Sequence, residues 1–278
     1  MVWSGGYAFA KVGLQHSGPL TLLAIRYTLV VVLLAVVVAV VRPAFPKTAA
    51  LWAHMVALGF LVQVVYFGLT MVALEQGMSA GAVAVIASLQ PIVVALLSGP
   101  VLRERVLRAQ WIGFGLALIG ALVVILARGA IQATGFGVIA AAGALAGISI
   151  ATVYERRVKT SADLLTSNLL QYVTGAAVLV PVAFLVERLR FDPSPALAIA
   201  IGYLALGNSL LSLTLLFAMI RAGEAARVSA LFFLVPPVSA LIALVVVGEH
   251  LPAQAWAGMA LAGAGVALAT LWPRPVAG

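Results

Sequence analysis

No cysteine occurs among the 278 residues of this chain, which excludes disulfides and thiolate metal sites and leaves the redox compartment unread. Charge is scarce as well. Only 9% of residues are Asp, Glu, Lys or Arg, against about 25% in soluble domains. Acids are the scarcest, and all eight (Glu75, Glu104, Glu155, Asp163, Glu187, Asp192, Glu224 and Glu249) fall in loops or at the ends of apolar runs. A carboxylate proton carrier in mid-membrane is therefore not expected. The histidines do not replace it, because His16 and His250 lie in loops and His54 sits near the start of its run. HExxH, an intramembrane aspartate pair and a histidine placed to activate a serine are all missing, so the usual hydrolytic constellations are excluded. The expectation is no enzyme, no metal and no cofactor.

What the chain does have is apolar length. Hydrophobic residues make up 64%, in runs of about 20 that as helices would cross a hydrocarbon core of about 30 Å. Lipid requires the backbone to satisfy itself, so these runs read as helices and the bilayer as the chain's surroundings. Spans are expected near 1–13, 19–41, 49–75, 79–101, 108–127, 135–157, 163–186, 196–220, 225–247 and 252–272. Pro43, Pro46, Pro100, Pro193, Pro195 and Pro252 punctuate their ends.

A shift of 145 positions superimposes rare residues: Tyr27 on Tyr172, Pro91 on Pro236, Glu104 on Glu249 and Trp111 on Trp256, with Gly113 on Gly258 and Gly120 on Gly265 in the same register. The expected fold is thus all-α, with ten transmembrane helices in two five-helix repeats, 1–133 and 134–278. Five crossings per repeat make the second copy start from the opposite side, giving inverted topology, the architecture of a transporter. Met1 falls on Ala146, some ten residues into the equivalent span, so residues preceding Met1 are expected to be missing. No basic n-region or cleavage site marks a signal peptide.

The net charge of +8 would suggest nucleic acid in a soluble chain. Here its distribution records orientation instead, and no nucleic-acid partner is expected. Eleven basic residues collect on one side of the spans, four (Lys11, Arg128, Arg188 and Arg190) on the other, and Arg26 lies inside a span. The richer side faces the cytoplasm, with both termini.

Polar groups inside the membrane are candidates for function, because each costs free energy unless it faces a cavity or a partner. Gln63, Gln90 and Asn208 lie near mid-span, and Gln63 and Asn208 are repeat partners. Interhelical glue, at about 0.6 kcal/mol per bond, is the alternative role. Helical spacing gathers Ser4, Tyr7 and Lys11 on one face, and Gln63, Tyr66 and Thr70 on another. Ser149 with Thr152, Asn168 with Gln171, Asn208 with Ser212, and Ser229 with Phe232, Pro236 and Ser239 add further polar faces. The fifth and tenth spans carry glycine instead and read as outer helices. Pro91 and Pro236, matched in mid-span, would free carbonyls and permit gating, or would simply bend the helix. Arg26 costs about 2.5–3.5 kcal/mol at mid-depth and could hold a carboxylate or snorkel outward. Its repeat partner is the neutral Gln171.

These residues resemble the EamA-type exporters of the drug/metabolite transporter superfamily over essentially the whole chain. The resemblance is carried by Trp3-Ser4-Gly5-Gly6 with Lys11, Ala24-Ile25-Arg26-Tyr27, Leu89-Gln90-Pro91, Arg103-Glu104-Arg105 and Gln110-Trp111-Ile112-Gly113. In the second repeat Leu234-Val235-Pro236, Gly248-Glu249, Trp256 and Gly258 carry it. It implies a central cavity opening alternately to either side, and it looks closest to the aromatic amino-acid exporters. Arg103-Glu104 departs from the usual Gly-Glu turn, and phosphate-carrying relatives would want basic residues deep in both repeats.

The resulting expectation is a multi-pass inner-membrane exporter of small metabolites, amino acids first, whose partners are that small-molecule substrate and the bilayer; a monomer is compatible with it. Tyr7, Tyr66 and Phe233 would supply aromatic surface. Gln63, Gln90, Ser149, Gln171, Asn208 and Ser212 would hold polar groups, Pro91 and Pro236 would gate, and Lys11 or Arg26 would be charge partners. Proton-coupled efflux of drugs or cationic metabolites is the alternative, and a non-transporting membrane scaffold is the alternative of another class.

Overall fold

Side-chain caps open the helices. Thr48 accepts from the Leu51 N–H, Ser79 from Ala82, Asp163 from Leu165 and Thr166, and Ser194 from Leu197, meeting the amide donors that a helix start leaves unpaired. Pro19 and Pro195 occupy first turns, where the missing N–H removes no helical bond. The computed structural model describes residues 2–102, 108–127, 134–158, 163–212, 235–248 and 251–271. Its α-helices are α1 (Val2–Leu14), α2 (Pro19–Val41), α3 (Ala49–Gly59), α4 (Phe67–Glu75), α5 (Ala80–Ser88), α6 (Gln90–Leu102), α7 (Arg108–Ala127), α8 (Gly135–Val158), α9 (Leu164–Glu187), α10 (Pro195–Gly202), α11 (Val235–Val247) and α12 (Ala253–Leu271). Among the described residues there is no strand, only an isolated bridge between Ser17 and Phe191. Six helical stretches are long and apolar enough to cross a membrane: Pro19–Val41, Ala49–Glu75, Ala80–Leu97, Gly135–Glu155, Leu164–Glu187 and Pro195–Ser212.

Two stretches are wound as π-helix. Phe60–Tyr66 (π1) joins α3 to α4 in one continuous rod, and Tyr203–Ser212 (π2) continues α10. Shifted by 145, residues 60–66 fall on 205–211, inside π2. The wider winding changes the bonding. The Phe67 N–H bonds to the carbonyls of Val62 and Val64, leaving that of Gln63 to accept from the Tyr27 hydroxyl at 2.8 Å. In π2 the hydroxyls of Ser209 and Ser212 reach back five residues, to Leu204 and Gly207, each at 2.9 Å.

Packing recurs with partners exchanged. α1 lies on α11 and π2, while α8 lies on α6 and π1. α7 and α12 pair most extensively, through glycine. A Cβ at Gly120 would sit 2.6 Å from the Gly258 carbonyl oxygen, and one at Gly265 would sit 2.6 Å from that of Gly113. Gly258 meets Val123 and Val124, so the two helices run antiparallel with backbones nearly touching. Their outer faces, including Trp111, Ile112, Leu118, Ile119 and Leu122, are exposed, as suits helices bordering lipid.

α2 and α9 form the central pair. Tyr27 and Tyr172, both fully buried, meet edge to face with ring centroids 5.4 Å apart. One end of this pair is tied by a carboxylate. Gly18 has no side chain to cap α2, and Glu187, the last residue of α9, does so from across the molecule. Its carboxylate accepts from the N–H groups of Leu20 (3.0 Å) and Thr21 (2.8 Å) and from the Thr21 hydroxyl (2.6 Å). Negative charge at a helix N-terminus is stabilising. Alongside, the Asp192 N–H donates to the His16 carbonyl at 2.7 Å. At the opposite end the repeat partner of Thr21, Thr166, donates to the Ala44 carbonyl at 3.2 Å.

Candidate functional site

A pocket opens where α1, α2, π1, α4 and π2 converge. Trp3, Gly6, Tyr7, Arg26, Tyr66, Phe67, Thr70, Met71 and Asn208 line it, around an empty volume of about 250 Å³ that includes its open mouth. Among the described residues, eight of the nine that line it lie between positions 3 and 71, and Asn208 comes from beyond.

The walls are built by close approach. Gly6 exposes the α1 backbone to π2, where any Cβ would collide with the Asn208 amide nitrogen, and Gly5 does the same for Tyr203. The Phe9 ring stacks on Tyr203 at 4.0 Å, fixing α1 against π2. Tyr7 and Tyr66 share a hydrogen bond between hydroxyls at 3.2 Å, and the Tyr66 ring leans on Phe67 at 4.7 Å.

Charge enters through Arg26. Its side chain is completely buried, and Nε donates to the Ser209 hydroxyl at 3.0 Å. The guanidinium carbon stands 4.6 Å from the Phe67 ring centroid, a cation–π distance. Nη1 and Nη2 have no hydrogen-bond partner, and neither do Thr70 Oγ1, Asn208 Oδ1 or Gln63 Oε1. Buried polar atoms are nearly always bonded. Of these residues Arg26, Thr70 and Asn208 line the pocket, and Gln63 does not. Groups of three or more His, Asp or Glu able to hold a metal are absent among the described residues.

The sequence profile of the EamA-like transporter family matches residues 1–126 and again residues 135–271. The chain belongs to the EamA-like transporter family. A probable amino-acid metabolite efflux pump of Salmonella typhimurium is 27% identical, covering 98% of this chain and 90% of the relative. The uncharacterized transporter YvbV of Bacillus subtilis is 26% identical over 94% and 85%, and the uncharacterized inner membrane transporter YedA of Escherichia coli is 21% identical over 98% and 88%. A crystal structure of a protein 23% identical in sequence shares the fold, with a TM-score of 0.69 over 99% of this chain and 95% of that one.

In this EamA-like transporter four of the residues expected from sequence, Tyr7, Arg26, Tyr66 and Asn208, line one pocket. Gln63 is buried on π1, its backbone carbonyl bound by Tyr27. Others are engaged elsewhere. Gln90 donates to the Thr152 hydroxyl at 2.9 Å, bridging α6 to α8. Ser149 and Ser212 donate to backbone carbonyls within their own helical stretches. Gln171 contacts Ser167 at 3.5 Å, and Lys11 lies half-buried in the last turn of α1. Pro91 sits in the first turn of α6, just past the break at Leu89 that separates it from α5, and Pro236 sits at the start of α11. Phe233 lies outside the described residues. Trp3, Gly6, Phe67, Thr70 and Met71 also line it; Gly6 was legible only within a motif and Thr70 only as part of the polar face it shares with Gln63 and Tyr66, while aromatic and thioether side chains in an apolar run carry no signal of which way they point.

Proposed function

We propose that this protein exports small metabolites, amino acids first, across a bacterial-type inner membrane by alternating access, moving them down a gradient without a buried proton relay. The observation that carries it is the pair of π-helical segments 145 residues apart, each bearing an amide, with Asn208 of one and Tyr66 of the other facing the same pocket. π-bulges concentrate at functional sites, because they break the regular bonding ladder. Amino acids lead because one relative bears the name of an amino-acid metabolite efflux pump and because the pocket joins aromatic surface to unbonded donors and acceptors.

Alternating access here rests on two five-span halves of opposite topology, 1–133 and 134–278, with both termini in the cytoplasm. Three observations support it: the double family match, the exchanged helix contacts and the antiparallel glycine contact between α7 and α12. Reporter fusions at Met1, at Thr134 and at Gly278 test the topology, which requires the first and last on one side and the middle one on the other. Proteoliposomes test transport. Labelled amino acids should cross faster with protein than without, and equal rates would refute the assignment.

A further inference from the structure

We propose that Arg26 is the carboxylate anchor of the transported molecule, with Nη1 and Nη2 binding both carboxylate oxygens while Ser209 holds the guanidinium in place. This rests on the exporter reading and goes further by specifying what the cargo must carry.

A guanidinium has five N–H donors. One is used, on Ser209, and the four on Nη1 and Nη2 have no partner although the residue is entirely buried. A structural arginine in a membrane protein secures its charge against an acid or backbone carbonyls, since an unpaired buried charge is costly. This one is among the residues lining the pocket, and both its Nη atoms are enclosed without a partner. Its two Nη groups form the fork that matches a carboxylate in bidentate geometry.

The surroundings narrow the ligand. Phe67 covers one face of the guanidinium, and among the described residues no second basic side chain lines the pocket. A single positive charge pairs with a single negative one, which suits a carboxylate better than a doubly charged phosphate. Thr70 Oγ1 and Asn208 Oδ1, also unbonded, line the same pocket and can accept hydrogen bonds, so the lining offers acceptors for an ammonium group as well as donors for a carboxylate.

The repeat supplies an internal contrast. Under the 145 shift Arg26 becomes Gln171 and Ser209 corresponds to Val64. The charge and the hydroxyl that orients it are both lost at the equivalent place. A residue needed for packing in either half would have no reason to lose its oriented partner in step. Arg26 and Ser209 behave as one device, present once.

The test uses the full-length protein in detergent and measures thermal stabilisation by a panel of L-amino acids. Each is compared with its methyl ester and its decarboxylated amine at equal concentration. Acids should raise Tm, while esters and amines should need at least about tenfold higher concentration for the same shift, reflecting loss of a charged hydrogen-bonded contact. Arg26→Gln should abolish the preference for acid over ester. Ser209→Ala, which leaves the charge but not its positioning, should reduce that preference, and Ser209→Thr should restore it. If Arg26→Gln does not fold, the acid-to-ester comparison on the unaltered protein decides alone. Equal stabilisation by acids and esters overturns the anchor and leaves the exporter reading standing. Neither stabilisation nor flux with any amino acid overturns both.

Discussion

At the scale of single residues, identical side chains meet different fates. Gln63 and Gln90 are both mid-span amides, yet Gln90 is bonded across helices to Thr152 while Gln63 keeps an unbonded oxygen beside the Tyr27 contact. Depth in the membrane could be read from position in the chain. Direction could not, because the π-winding of 60–66 shifts the angular phase on which helical-face arguments depend. Gly6 was legible as part of a motif but not as a wall of the pocket. Gly6→Ala should push the Asn208 amide aside, lower Tm by the cost of local overpacking, about 1–3 kcal/mol, and raise the KM for transport per folded molecule, measured by flux in proteoliposomes. Glu187 is a polar span end by sequence and an N-cap for a distant helix in the fold. Replacing it by Ala should cost about 0.5–2 kcal/mol, as for other lost caps. The expected outcome is a lower Tm in detergent.

At the scale of elements, the apolar runs coincide with the described helices, six of them long and apolar enough to cross a membrane, because length and hydrophobicity determine where a chain can cross lipid; the expected spans 196–220 and 225–247 run partly outside the described residues. The π-segments were not legible. No residue type marks a π-turn, and it becomes evident only when the Phe67 N–H skips Gln63. One consequence separates two otherwise equivalent tyrosines. The Tyr27 hydroxyl satisfies the carbonyl that π1 releases, whereas that of Tyr172 has no partner. Tyr27→Phe should therefore destabilise by about 1–3 kcal/mol, the cost of a buried unpaired polar group. Tyr172→Phe should be neutral or stabilising. Thermal melting of the two variants side by side checks this, and equal losses would contradict the assigned bonding.

At the scale of the whole molecule, the 145-residue register was legible in a handful of rare residues, and its glycines turn out to be where two helices touch. Gly113, Gly120, Gly258 and Gly265 let α7 and α12 approach backbone to backbone, remote from the pocket lining. Gly120→Val should thus overpack this contact at about 1–3 kcal/mol, lowering Tm while transport per folded molecule persists. Flux normalised to monodisperse protein would reveal any departure. The lining of the pocket, by contrast, does not follow the repeat: Tyr7, Arg26, Tyr66 and Phe67 correspond to Thr152, Gln171, Leu211 and Ser212. Among the described residues the lining thus comes mainly from the first copy, while Asn208 and the Ser209 that holds Arg26 come from the second. If this pocket receives the cargo as proposed, a saturation scan of substitutions should find losses of selectivity crowded around these unlike positions rather than at repeat-matched pairs.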